Sequence, residues 1–353
     1  MGKMQDYIVK GKQIFMGLED SKRSWKLCVR SEGQVVHETS MPSKWENLRG
    51  YLRGRYPDCR VKLMYEAGFG GFWLHDLLES EGIECIVTPP HRVTQEQVNK
   101  VKTDKIDARR LARTLESGDY SFCRVPDRER REDRQLVRAL SQAGKMIKTS
   151  KNRIRKFLDF HGLNGELPAG KWGDWRYREL RKLRLSEPLQ ISLDSYLDTL
   201  EFMQGQAKKL ENALKELCKK ERYRESVKSK QSFPGVGWLS AIRFTLEWGD
   251  LSRFPSGKEF SSFVGLTSSE YSSGESIHRG PITKQGSRQV RAWLIECAWR
   301  AKKYDPVLLS KFNTVWRNSG KQKKAIVAVA RKLAVRMRAV ELSGEPYNVG
   351  VIE

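Results

Sequence analysis

No run of eighteen apolar residues occurs in the chain, so no membrane-spanning helix is expected. The N-terminal segment lacks the apolar core of a secretory signal. Histidine is scarce, five in 353 residues, and none stands in metal-ligand spacing. The six cysteines (Cys28, Cys59, Cys85, Cys123, Cys218, Cys297) are scattered without a CxxC pair. That pattern argues against a zinc finger and a disulfide framework, and for a reducing cytoplasm. The glycines Gly68, Gly70 and Gly71 come without a Walker lysine, which excludes a P-loop. Low-complexity tails and internal repeats are also missing.

Positive charge is what the chain has in excess. Lys and Arg number 66 against 43 Asp and Glu, a net charge of +23. Such a balance calls for a polyanionic partner, nucleic acid before membrane. The length suits two or three domains with proper cores.

Two stretches carry the chemistry. Val61, Leu63 and Tyr65 alternate with Lys62 and Met64 as in a short strand that stops at Ala67–Gly68. Glu66 stands at its end, where a carboxylate needs compensation. Lys102–Arg109 reads as the first turn of a helix, with Asp104 and Asp107 three apart on one face. One reading makes these acids favourable partners of the helix dipole, with Lys102, Lys105 and Arg109 as their ion partners. The other makes them ligands of a divalent cation, Mg²⁺ by preference, because an all-oxygen set suits a hard ion.

Upstream, Ile14–Leu18 is a strand-like run ending in Glu19–Asp20–Ser21–Lys22, and Trp25, Leu27 and Val29 alternate as a second strand. Phe72–Leu78 reads as an amphipathic helix and Ile83–Val87 as a further strand stopped by Pro89–Pro90. The expectation is an α/β domain over 12–125 with the element order of an RNase H-like nuclease. Such domains gather acids from distant elements to hold two metals for phosphodiester chemistry. His75 and His91 read as structural or surface residues, and His91–Asn99 as a connector.

Residues 124–184 hold 18 Lys and Arg against 8 Asp and Glu. Arg134, Arg138, Lys145, Lys148, Lys151 and Arg155 recur at helical intervals among Leu136, Leu140, Ile147 and Ile154, giving one packed and one basic face. Trp172, Trp175 and Tyr177 beside Lys171, Arg176 and Arg178 suit single-stranded or irregular nucleic acid, where bases stack. Leu193, Tyr196, Leu200, Met203, Ala207, Leu210, Leu214 and Leu217 follow alternating spacings of three and four, a coiled-coil seam. Its partner is either another helix of the same chain or a second copy. The basic helices and coiled coil are assigned to 126–230.

The remainder, 231–353, is expected to be mainly α-helical. Pro234–Gly235–Val236–Gly237 opening a helix resembles a helix-hairpin-helix element, whose backbone amides hold a DNA phosphate without reading sequence. Gly265–Gly274 is dense in serine and could present a hydroxyl on a flexible loop, followed by His278, Arg279, Lys284, Arg288 and Arg291. Helices are expected at 292–299 and 323–342, the latter burying Ile326, Val329, Leu333, Val335 and Met337 with Lys and Arg outside.

Taken together, Gly17–Lys22, Tyr65–Gly68 and Lys102–Arg109 resemble the three motifs of the DEDD transposases of the insertion-sequence one-ten family, also called bridge recombinases. Phe233–Gly237, Phe263–Thr267 and Tyr271–Gly274 resemble that family's C-terminal signature, and the order fits across nearly the whole chain. The resemblance implies a RuvC-like domain whose Mg²⁺ ligands are Glu19, Glu66, Asp104 and Asp107. The family has Asp in the slot of Glu19, and Asp20 is the alternative. A one-residue shift on a strand reverses the face, which favours Glu19. The resemblance further implies that Ser273 is the nucleophile, with Ser272 its neighbour, and that a covalent phosphoserine intermediate conserves the bond energy. It implies donor and target double-stranded DNA, a structured non-coding guide RNA, and a dimer or tetramer built through paired coiled coils. The serine and acids would then be shared between protomers in the bacterial cytoplasm. The competing readings are a Mg²⁺-dependent junction resolvase that uses water, and a nucleic-acid-binding protein without catalysis.

Overall fold

A computed structural model describes residues 11–90, 103–163, 173–273, 276 and 278–350. It divides into two units, Met1–Pro126 and Asp127–Glu353. The expected connector, His91–Asn99, lies outside the described residues.

The first unit runs β1 (Gln13–Glu19), β2 (Ser24–Ser31), β3 (Gln34–Pro42), α1 (Trp45–Arg55), β4 (Arg60–Glu66), α2 (Trp73–Ser80), β5 (Glu84–Thr88) and α3 (Asp104–Ser117). The sheet order is β3-β2-β1-β4-β5. β1 pairs antiparallel with β2 and parallel with β4, and β4 is parallel to β5. This mixed five-stranded sheet is RNase H-like, as expected; β3 and α1 are elements the sequence did not reveal.

Period-two alternation divides the strands between two cores. Ile14, Met16 and Leu18 of β1, with Leu63 and Tyr65 of β4, pack with Leu48 and Leu52 of α1 and Leu74 and Leu78 of α2. The alternate residues turn to α3: Phe15 and Met64 meet Leu111 and Leu115, and Cys28 meets Ala108 and Ala112. Ala108, Leu111, Ala112 and Leu115 form the helical stripe that makes this docking possible. Thr103 caps the helix by accepting the Ile106 amide, and Gly118 closes it in the left-handed conformation.

The second unit contains α4 (Arg128–Phe160), α5 (Asp174–Lys182), α6 (Glu187–Lys219), α7 (Glu221–Gln231), α8 (Trp238–Trp248), α9 (Gly257–Val264), the strands β6 (Ser268–Glu270) and β7 (Arg279–Ile282), α10 (Arg288–Ala301), α11 (Pro306–Ser319) and α12 (Gln322–Ser343). α4 and α6 lie antiparallel. Ile154 and Leu158 meet Leu193, Leu197 and Leu200 at one end. At the other, Val137 and Leu140 share a core with Leu214, Leu217 and the C-terminal helices. The coiled-coil seam of α6 is thus filled by α4 of the same chain, the intramolecular alternative. Ile191 and Phe202, eleven residues apart on α6, are each 63% exposed.

Polar groups also enter the second core. Lys230 is fully buried, its ammonium donating to Ser226 Oγ (2.8 Å) and to the Glu341 carboxylate. Arg336 departs from the expected Lys/Arg-outside pattern of α12. It is buried because Tyr347 and Asp305 wait inside, the Asp305 carboxylate 3.5 Å away. Among the described residues, no helix is long and apolar enough to cross a membrane, and no two of the six cysteines are bonded.

Candidate active site

Two of the acids, Glu19 and Glu66, end two adjacent parallel strands. Leu18 pairs with Tyr65 in register, so Glu19 and Glu66 follow side by side as β1 and β4 end. By alternation both belong to the α3 side, with Gly17 and Met64. Gly17 brings the helix close. A Cβ there would lie 2.9 Å from Leu111 Cβ and nearer still to Ala108 O and Ala112 N, so helix backbone rests on strand backbone. That docking buries Asp107, whose side chain is 5% exposed. Arg110 Nη2 stands 2.8 Å from Asp107 Oδ1 and 3.4 Å from Glu66 Oε1, joining acids from two elements. Asp104 lies a turn earlier on α3 and is exposed.

Asp20 belongs to the other face. Its carboxylate accepts the Trp25 indole N–H at 3.2 Å and lies against Gly70, where a Cβ would sit 3.0 Å from Asp20 Cγ. Burial there pushes its carboxyl pKa up. The alternation that separates Glu19 from Asp20 is the one the sequence argument invoked.

Three residues escaped the sequence. Gly17 is one, Arg110 another. The third is Glu38 on β3, which takes Lys105 (3.1 Å) and Arg109. The sequence offered these two cations to Asp104 and Asp107; the structure gives them to Glu38. The Arg109 guanidinium, opposed in part by burial and helped by Lys105, holds the Glu38 carboxyl below its ordinary value. Arg30 and Glu116, 2.6 Å apart, tie the far end of α3 to β2.

Among the described residues, no three acidic, histidine or cysteine side chains stand close enough to hold a metal ion as placed. The donor set nonetheless fits a hard divalent ion. All four acids are carboxylates, and two of them already share a cation, Arg110.

In the second unit, the serine-rich segment is a hairpin rather than a loop throughout. Ser268 pairs with Ile282 and Glu270 with Arg279. Ser269 Oγ donates across it to Pro281 O, at 3.1 Å, over Gly280, where a Cβ would collide with that hydroxyl. Ser273 is exposed at the tip, its backbone exchanging hydrogen bonds of 3.2 Å with Ser276. Ser272 Oγ donates to Glu270 Oε1 at 3.0 Å. His278 Nε2 lies 2.9 Å from Ser276 Oγ, so its hydrogen bond goes to Ser276. Gly274 is outside the described residues. Lys284 and Arg288 are exposed beyond the hairpin, Lys284 in the left-handed region at φ 57°. Arg279 is also exposed, its Nε 3.6 Å from Glu270.

Comparisons with known proteins agree across both units. A DEDD transposase model of the IS110 type matches residues 16–162, and the model of the transposase IS116/IS110/IS902 family matches 230–313. The protein y4qE of Sinorhizobium fredii, named for a transposase, is 30% identical over 82% of this chain and 71% of its own. The transposase for insertion sequence element IS1533 of Leptospira borgpetersenii is 29% identical over 92% and 95%. That for IS1111A of Coxiella burnetii is 24% identical over 95% and 91%. The chain belongs to the IS116/IS110/IS902 family of transposases.

A transposase of an insertion sequence binds DNA and catalyses its transposition, and a DEDD domain implies use of a divalent metal. The transposase presents its basic residues unevenly. On α4, Arg138, Lys148 and Arg155 are exposed and Lys151 is half-buried. Arg134 turns inward to Glu247 of α8, at 2.6 Å. Trp175 and Arg176 of α5 are half-buried; Trp172 lies outside the described residues. Pro234–Gly237 does link two helices, α7 and α8. Gly235, at φ 82°, is needed for packing: a Cβ would lie 2.7 Å from Arg300 Cβ and 2.9 Å from Ala301 N. Gly237 is exposed at the start of α8, whose first turn carries no acid.

Proposed function

We propose that this transposase exchanges DNA strands through a covalent phosphoserine on Ser273. Glu19, Glu66, Asp104 and Asp107 would hold Mg²⁺, which when bound supplies Lewis-acid stabilisation of the phosphodiester undergoing attack. Ser273 Oγ bonds to phosphorus as the bond to the leaving strand end breaks, and its proton passes to solvent or a base. The leaving end, or its counterpart from the second DNA, later reverses the step, so no external energy source is consumed. Three regions share the work: 12–125 carries the acids, 126–230 the basic helices and 231–353 the serine.

The observation that carries the reading is the placement of Glu19, Glu66 and Asp107 on one face, with the helix bearing Asp107 docked on Gly17. The exposed hydroxyl of Ser273 on a hairpin followed by Lys284 and Arg288 supports the serine's role. The net charge and the exposed cations of α4 support a second polyanion, a structured guide RNA pairing with donor and target DNA. Ile191 and Phe202 on the outer face of α6 support assembly into a dimer or tetramer. The test is cutting of donor and target DNA with Mg²⁺ and the RNA encoded beside the gene. Cutting requires both additions and is lost in Asp107→Asn; cutting that ignores the RNA would remove its guiding role.

A further inference from the structure

We infer that Arg110 is a built-in placeholder for the divalent ion: its guanidinium and the metal compete for Glu66 and Asp107. The inference rests on the acids being the metal site, as proposed above.

Arg110 joins the acids of β4 and α3, with contacts of 2.8 Å to Asp107 and 3.4 Å to Glu66. All three side chains are mostly buried, at 20%, 5% and 23% exposure. Two carboxylates so placed repel one another and lose hydration unless a cation lies with them. The Arg110 guanidinium meets that need through one nitrogen, Nη2, which stands against both carboxylates. Mg²⁺ held by Glu66 and Asp107 would take carboxylate oxygens as ligands, and a guanidinium lying against those carboxylates would stand in its way.

The rest of α3 is held without Arg110. Lys105 and Arg109 are committed to Glu38, Glu116 to Arg30, and Gly17 seats the helix backbone on β1. The exchange therefore asks only the Arg110 side chain to swing out, while the strand ends and helix keep their places. While Arg110 occupies the acids, the fraction of protein competent for metal is reduced and the apparent affinity falls in proportion.

The experiment is calorimetric titration of full-length wild type, Arg110→Ala, Arg110→Lys and Asp107→Asn with Mg²⁺, alongside thermal unfolding with and without the ion. Arg110→Ala binds Mg²⁺ about tenfold more tightly, the order of one charged hydrogen bond lost from a competitor. It also melts lower than wild type without metal and gains more from its addition. Arg110→Lys falls between, because a point charge spans the two acids less well. Asp107→Asn loses the binding and so locates it. Equal or weaker Mg²⁺ binding by a folded Arg110→Ala would overturn the inference and leave Arg110 as a residue that positions the acids. Binding by no variant, wild type included, would remove the metal-site reading and this inference with it.

Discussion

Gly17→Ala tests how the site is built, because the added methyl is aimed at atoms that cannot yield. It would lie 2.9 Å from Leu111 Cβ, where ordinary contact begins at 3.4 Å, and closer to the backbone of Ala108 and Ala112. Side-chain rotation relieves none of this, so α3 must retreat from the sheet by about 1 Å, an overpacking defect of roughly 1–3 kcal/mol. The retreat carries Asp107 away from Glu66 and Glu19. A misplacement of about 1 Å in a catalytic constellation can cost about a hundredfold in rate. Urea unfolding of the full-length protein reads the first effect, and cutting of donor DNA under saturating Mg²⁺ reads the second. Wild-type stability together with wild-type cutting would refute the claim that α3 is seated on Gly17.

Two further outcomes follow from charged groups. Glu38→Gln frees Lys105 and Arg109 and lowers stability at neutral pH. Because the Glu38 carboxyl is held below its ordinary 4.5, its contribution is complete above that value and lost as pH falls through the lowered one. The gap between variant and wild type in urea midpoints should therefore close as the pH drops; a gap constant across that range would contradict it. Lys230→Met strands Glu341 in the second core and costs about 3–5 kcal/mol, whereas Lys230→Met with Glu341→Leu recovers most of it. A double variant no more stable than the single would show that the pair is not the source.

Local patterns were legible and distant pairings were not. The apolar run Ile14–Leu18 and the alternation of Leu63 and Tyr65 announced β1 and β4, and the two acids at their ends came with them. Only the first turn of α3 was read, from its acids; the stripe of Ala108, Leu111, Ala112 and Leu115 that docks it emerged with the structure. β3 hid because it is an edge strand with one buried residue, Met41, and α1 because two apolar anchors, Leu48 and Leu52, stand among charged neighbours. Glu38 lies 71 residues from Arg109, and Glu247 lies 113 from Arg134, so no spacing rule connects them. The seam of α6 was readable as a seam, but heptads do not say whose helix fills them; here α4 does. The three-residue strand Ser268–Glu270 is too short for any periodicity to register, and cross-strand bonds hold it instead.

The measurement that bears most directly on the proposed chemistry is trapping of protein on end-labelled donor and target DNA with guide RNA and Mg²⁺, resolved under denaturing conditions. Wild type and Ser272→Ala should yield a covalent adduct that maps to Ser273, while Ser273→Ala and Asp107→Asn yield none. Cutting that persists in Ser273→Ala without any adduct would contradict the serine mechanism and make water the nucleophile.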